Sequence, residues 1–185
     1  MLETERLILR RWETKDLRPF AEMNSDLRVM EFFPSILTKE ESLQFIERMK
    51  SKFKEDGFSF CAMELKDTGD FLGFVGLSKP GFKTHFTPCV EIGWRLPFRH
   101  WGKGFASEGA RAFIRYGFDI LSLNEIVSFT AVMNLRSRKV MERIGMTYDS
   151  ADDFNHPNLG LDHPLSKHVL CRVKNPSLLR KDGGI

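Results

Sequence analysis

The stretch FRHWGKGFAS (98–107) places an arginine, a lysine and two glycines just ahead of an amphipathic run. A helix start exposes N–H groups that have no partner, together with the positive end of the peptide dipoles, and so draws anions. Gly102 and Gly104 are poor helix formers, but lacking a Cβ they let a ligand come against the backbone and accept left-handed dihedrals. Arg99 and Lys103 add fixed positive charge at the same point. The stretch suits a pyrophosphate, and it equally suits a plain turn. Upstream, Glu91 stands between Val90 and Ile92 in CVEIGWRL (89–96), so on a strand it points to the face opposite theirs. On a cleft-lining face, partial burial would raise its pKa and let it receive a proton through water. On a solvent face it would be an ordinary strand carboxylate. Asn134 opens NLRSRKVMERIG (134–145), and Asn is a favoured helix N-cap.

These residues need a scaffold, and hydrophobic periodicity supplies one. RLILRRW (6–12) reads as a first strand, followed by two short helical segments, ETKDLRPFAEMN and DLRVMEFF, up to Pro34. Thr38 lies three residues before Glu41, a capping box, and Leu43, Phe45, Ile46, Met49 and Phe53 then recur at helical spacing until Gly57. FSFCAMELK and DFLGFVGLSK form a hairpin through DTGD, and CVEIGWRL is the next strand. Ala106, Ala110, Phe113, Ile114, Phe118 and Leu121 share a helix face, NEIVSFTAV (124–132) is a strand, and a helix over 134–145 ends at Gly145. MTYDSA and HPLSKHVLCRV are the last strands. The strand–helix–strand unit of 89–132 implies a local parallel pair with its helix packed on the sheet.

Bulk composition agrees with one self-sufficient domain. A chain of 185 residues with 42% apolar content and 17 phenylalanines can bury a substantial core. A net charge of +3 helps to hold an anionic ligand but is far from that of a nucleic-acid-coating protein. Cys61, Cys89 and Cys171 are three widely separated thiols, which points to a reducing compartment and a cytoplasmic protein. The N-terminal MLETERLILRRW has neither a signal-peptide apolar core nor a membrane-length run. Two familiar phosphate loops are excluded: no window fits the P-loop, and Ser107 stands where a Rossmann fingerprint needs its third glycine.

RHWGKG (99–104), directly after a strand and opening a helix, resembles the Arg/Gln-x-x-Gly-x-Gly/Ala coenzyme A turn of the GNAT (N-acetyltransferase) superfamily. The resemblance extends through LETERLILRRW, VEIGWRL, GKGFASEGARAFIRYGF and NLRSRKVMERIGM, nearly the whole chain, and looks like the branch of Rim-type ribosomal-protein N-terminal acetyltransferases. It implies an α/β (α+β) fold, one domain over 1–174 and a loosely held tail over 175–185. The domain would have a mixed central sheet of about seven strands, N-terminal helices and two helices packed on the sheet.

The activity so implied is direct transfer from acetyl-coenzyme A to a primary amine, of a protein N-terminus or a small molecule, without a metal. Arg99, His100, Trp101, Gly102, Lys103, Gly104, Phe105 and Ala106 would then form the cofactor turn, with the amides from Trp101 to Ala106 on the pyrophosphate. The backbone of Trp94, Arg95 and Leu96 would pair with the pantetheine arm beside a splay in the sheet. Asn134 would touch the pantetheine as well as cap its helix. Glu91 matches the family's strand glutamate, the candidate base, and Ser137 is either a proton donor toward the leaving sulfur or an exposed helix residue. Many members carry a general-acid tyrosine seven residues after the asparagine; here that position is Met141.

The polar loop YDSADDFNHPNLGLDHPL (148–165) holds Asp152, Asp153, His156, Asp162 and His163, without the tight histidine spacing of a metal site. It reads as a substrate rim suited to a cationic amine or a basic peptide. Two other readings compete: a non-catalytic acyl-coenzyme A-binding module, and a nucleic-acid binder using Arg136, Arg138, Lys139 and Arg143. The last set more simply forms a solvated basic helix face, so neither direct nucleic-acid binding nor a membrane partner is expected. The chain is compatible with a monomer or a homodimer.

Overall fold

In the computed structural model, which describes residues 1–179, nine strands form a single mixed sheet. They are β1 (Leu2–Glu3), β2 (Leu7–Arg10), β3 (Phe60–Leu65), β4 (Phe71–Ser78), β5 (Glu91–Arg95), β6 (Glu125–Ala131), β7 (Thr147–Tyr148), β8 (Phe154–Asn155) and β9 (Lys167–Lys174). The sheet runs β1-β2-β3-β4-β5-β6-β9-β7, with β8 also on β9. Every pair is antiparallel except β5–β6, the parallel pair expected from the 89–132 unit. The two strands beyond the expected seven are β1 and β8, two residues each, too short to show a period.

Four helices cover the sheet: α1 (Leu17–Asn24), α2 (Lys39–Asp56), α3 (Phe105–Asp119) and α4 (Leu135–Arg143); α5 (Pro176–Leu179) is a single turn. On one face, Phe20 and Met23 of α1 and Ile46 and Met49 of α2 pack with Trp12, Phe71 and Phe74. On the other, Phe105, Ala110 and Phe113 of α3 and Met141 of α4 pack with Leu7, Met63, Val75, Leu77, Ile92 and Ile126. The capping box of α2 forms as its sequence requires: Glu41 N donates to Thr38 Oγ1 at 3.1 Å, Thr38 N donates to Glu41 Oε2 at 2.7 Å, and Gly57 ends the helix at φ 81°.

DLRVMEFF does not form the expected second short helix. The Asp26 carbonyl accepts from Val29 N and Met30 N, and Met30 O accepts from Phe33 N, so the segment is a chain of turns. Arg28 N bonds the Asp26 side chain at 3.0 Å, the local alternative to a helix that Asp offers, and Pro34 stops propagation. A buried ion pair anchors the start of α1: Arg10 Nη1 and Nη2 donate to Asp16 Oδ2 and Oδ1 at 2.7 and 2.8 Å. Of the expected tail over 175–185, residues 180–185 lie outside the described residues. Among the described residues no helix is long and apolar enough to cross a membrane.

Candidate active site

The cleft exists because β5 and β6 part company. Their register holds only at Glu91↔Val127, whereas β5 stays paired with β4 from Ser78↔Glu91 to Phe74↔Arg95. On the β6 side, Val90 O accepts from Val127 N at 3.0 Å and Ile92 O from the Ser128 hydroxyl at 2.9 Å. Strand alternation turns the next such residue, Trp94, the same way, so its N–H and C=O face the gap. The Leu96 carbonyl is taken by the Trp101 indole N–H at 2.8 Å. This is the splay expected beside Trp94, Arg95 and Leu96.

A cavity of about 500 Å³ fills the splay. Of the residues singled out in the sequence, Glu91, Trp94, Arg95, Leu96, His100, Trp101, Gly102, Gly104, Phe105, Ala106, Asn134 and Ser137 line it. Arg99 and Lys103 do not. The Arg99 side chain donates to His100 Nε2 at 3.0 Å and borders a separate shallow depression with Glu22, Asp26 and Arg28. Besides Arg95, the positive charges at the cavity are Arg136, Lys139 and Arg143 of α4, which the sequence suggested were merely a solvated face. None of the acidic loop residues from 149 to 165 lines it, so that loop is not its rim. Asp152 is held instead by Arg172, Nε to Oδ2 at 2.7 Å, and Phe154 and His156 pack around Phe82 and Phe129 on the outer part of the sheet.

The turn before α3 is a nest of free amides. Gly102 and Gly104 have φ of 75° and 83°, left-handed values that favour glycine, and a Cβ at Gly102 would meet open space. Trp101 N already donates to Phe98 O at 3.1 Å, so its amide is not available as expected. From Gly102 through Ser107 the amides have no acceptor among the described residues; Glu108 N is the first to be paired, on Gly104 O at 3.0 Å. Glu108 also fastens this end of α3 to the N-terminal strands. It accepts from Thr4 Oγ1 at 2.6 Å, Arg6 N at 2.9 Å and Arg6 Nε at 2.7 Å. Burial would raise its pKa, but these hydrogen bonds outweigh burial and hold it below the usual carboxylate range. A sequence reading finds only its place in the first turns of α3; its partners lie about 100 positions away.

Glu91 faces the same side of the sheet as Gly93 and Arg95, opposite Ile92, Trp94 and Leu96. Burial pushes its carboxyl up to about 7, with Lys52 as the opposing influence. Lys52 itself bonds Ser78 Oγ at 3.2 Å and the Lys79 carbonyl. Asn134 caps α4, with Oδ1 accepting from Ser137 N at 3.2 Å and Nδ2 donating to Thr130 Oγ1 at 2.9 Å. The Ser137 hydroxyl has no partner among the described residues. Met141, where the general-acid tyrosine would stand, is 1% exposed within the α3–α4 core and carries no proton to give.

A parted parallel pair, a nest of free amides at a helix start and a half-buried carboxylate thus meet at one cavity. A family-wide sequence profile for the acetyltransferase (GNAT) domain matches residues 6–147. An uncharacterised N-acetyltransferase of Bacillus subtilis, YnaD, is 33% identical over 146 residues, covering 78% of this chain and 81% of its own. The crystal structure of a GNAT-family acetyltransferase from Bacillus anthracis superposes with a TM-score of 0.76 at 26% identity, covering 95% of this chain and 98% of that one. Spermidine N-acetyltransferase from Vibrio cholerae, solved with CoA and spermine, shares the fold at a TM-score of 0.73 and 20% identity, over 95% and 99% of the two chains. The chain belongs to the GNAT acetyltransferase family, and it is an N-acetyltransferase.

Proposed function

We propose that residues 1–174 transfer the acetyl group of acetyl-coenzyme A directly to a primary amine, as Rim-type enzymes do for protein N-termini and others do for small amines. The observation that carries this reading is the run of free amides from Gly102 to Ser107 beside the open main chain of Trp94. The amides and the α3 dipole suit the pyrophosphate, with Arg136, Lys139 and Arg143 supplying charge at the mouth. The Trp94 N–H and C=O suit the amide groups of the pantetheine arm. Chemistry then needs a neutral amine, since the acceptor nitrogen attacks the thioester carbon through its lone pair. Glu91 receives the amine proton through water as the N–C bond forms. The C–S bond breaks and the thiolate leaves, protonated by the Ser137 hydroxyl or by water; a thiol pKa of about 8.5 makes it a tolerable leaving group unaided. Three free cysteines suit work in the cytoplasm.

The first experiment is thermal melting with acetyl-coenzyme A, coenzyme A, ATP and NAD. Both coenzyme A species, at about 100 times Kd, are expected to stabilise by roughly 2.7 kcal/mol, with ATP and NAD giving much less. No shift with either coenzyme A species would overturn the reading. Loss of turnover in Glu91→Gln with the coenzyme A shift retained separates an enzyme from a module that only binds the acyl donor.

A further inference from the structure

On the face of β5 that carries Glu91, two positions further on from Gly93, the Arg95 guanidinium projects into the cavity with no carboxylate to meet it among the described residues. Its Nη1 donates to Asn24 Oδ1 at 2.8 Å, a neutral partner that is itself fully buried and fixed by donating to Ser42 Oγ at 3.0 Å. Its Nε is buried without any acceptor. The guanidinium lies 4.0 Å from the centroid of Phe33 and 5.5 Å from that of Phe74. Burial alone acts on it, bringing its pKa down to about 9, so it is still charged at neutral pH. A charge held this way, positioned by an amide and unsatisfied at Nε, is costly unless something supplies the missing acceptor.

Between Arg95 and Glu91 the floor is flat and aromatic. Phe60, Gly76 and Gly93 lie in one row across β3, β4 and β5, and a Cβ at Gly93 would come within 2.9 Å of the Phe60 ring. Gly93 thus lets that ring lie down on the strand, stacked on Phe74 at 5.1 Å and an interplanar angle of 24°, while Gly76 lets β4 come close against the β3 backbone. The acceptor side of the cavity is therefore an apolar shelf with a carboxylate at one end and an unmatched guanidinium at the other.

We propose that the acceptor is an amine that also carries a carboxylate, with the carboxylate on Arg95, its apolar part on the Phe60–Phe74 shelf and its amine toward Glu91. This deepens the acetyl-transfer reading and rests on it. An ω-amino acid, an amino acid with a side-chain carboxylate, and the N-terminus of a peptide with an acidic side chain near its start share this chemistry; a polyamine, cationic along its length, does not, because Arg95 repels it.

The test is acetyl transfer to matched pairs that differ only in carboxylate against amide: ω-amino acids against their amides, glutamate against glutamine, and Glu-containing peptides against their Gln counterparts. In the unaltered protein the carboxylate member of at least one pair is expected to be favoured about 10–100-fold in kcat/KM, the worth of a charge-assisted pair. The pair that shows it identifies the source. Arg95→Gln brings that ratio to near one and Arg95→Lys restores part of it, each variant being checked for the coenzyme A melting shift. Equal use of both members, preference for the amide, or a ratio unchanged in Arg95→Gln overturns the proposal. So does a coenzyme A shift without acetylation of either member, which leaves the donor site standing. Absence of the shift itself brings down the donor reading first. If the Arg95 variants do not fold, the ratio in the unaltered protein decides.

Discussion

The two arms of the cleft are built from different parts of the chain. The arm at α3 is made of backbone: free amides from Gly102 to Ser107, the Trp94 main chain and a helix dipole. The arm toward α1 and α2 is made of side chains: Glu91, Arg95, Phe60, Phe74 and Phe33. A backbone site is exacting about conformation and tolerant of side-chain identity, which suits a donor common to many enzymes. A side-chain site is the reverse and can be rewritten residue by residue. One fold can thus keep its donor while changing its acceptor.

Replacing Glu91 tests the side-chain arm hardest. Glu91→Gln is expected to lower kcat/KM by about 10²–10⁴-fold, the usual worth of a general base, with the coenzyme A melting shift intact. Burial favours the neutral carboxyl, so the base is protonated below its raised pKa of about 7, and kcat/KM should climb through that pH in the unaltered protein. The same shift has a stability signature. A raised carboxyl stabilises the fold fully below its ordinary pKa of 4.5, and that contribution is lost as pH rises through about 7. Glu91→Gln, being neutral throughout, should gain in melting temperature relative to the unaltered protein between pH 5 and pH 8. Parallel pH profiles of stability in the two proteins would show Glu91 to be an ordinary solvated carboxylate.

The ion pair beneath α1 reaches the same arm from outside it. Asp16 is 1% exposed, and Asp16→Ala leaves Arg10 with Glu64, at 2.8 Å, and the half-exposed Glu13, at 3.7 Å, to offset a buried charge. A loss of about 3–5 kcal/mol in chemical denaturation is expected. Because α1 ends in Asn24, which holds Arg95, the acceptor arm should loosen before the glycine turn does. A fall in coenzyme A affinity larger than the fall in acceptor kcat/KM would break that separation.

At the backbone arm, Gly104→Val forces a β-branched residue to φ 83° and sets side-chain atoms beside the amides. Left-handed strain of about 1–2 kcal/mol, with the crowding, is expected to weaken coenzyme A binding about 10–100-fold by calorimetry. An unchanged Kd would mean the turn does not hold the phosphates.

The same contrast explains what could be read in advance. The glycine turn is contiguous and its requirement is conformational, so six letters suffice to mark it. The strands and helices with a clear period were equally legible. The tie from Glu108 to Thr4 and Arg6 was not, since it spans about 100 residues and each partner alone is an ordinary charged or polar residue. Arg95 was read only through its backbone, because nothing local tells that a strand arginine will lack a carboxylate. The 149–165 loop misled for a related reason: its acidic residues look free in sequence, while Asp152 is already matched by Arg172. DLRVMEFF misled in the opposite direction, as apolar spacing suggested a helix where Val29, Phe32 and Phe33 instead roof the cavity as turns.

That roof gives the smallest expected effect and the sharpest separation of the arms. Glu31, between Met30 and Phe32, forms an ion pair with Arg136 of α4, so one contact ties the acceptor roof to the donor side. Both side chains are half exposed, and such pairs contribute about 0.2–1 kcal/mol, so Glu31→Gln should scarcely move the melting temperature. Arg136 also lies 4.7 Å from the Trp101 ring centroid and 5.3 Å from that of Phe32, contacts that survive the loss of the pair. If the pair holds the roof down, acceptor KM rises by a few fold while kcat stays, and added salt has the same effect on the unaltered protein because exposed charges are screened at roughly a 10 Å Debye length. If KM is instead unmoved by either change, Phe32 and Phe33 packing alone fixes the roof. The acceptor arm would then be closed by apolar contacts on the α1 side, with only the Arg136 guanidinium over Phe32 reaching it from α4.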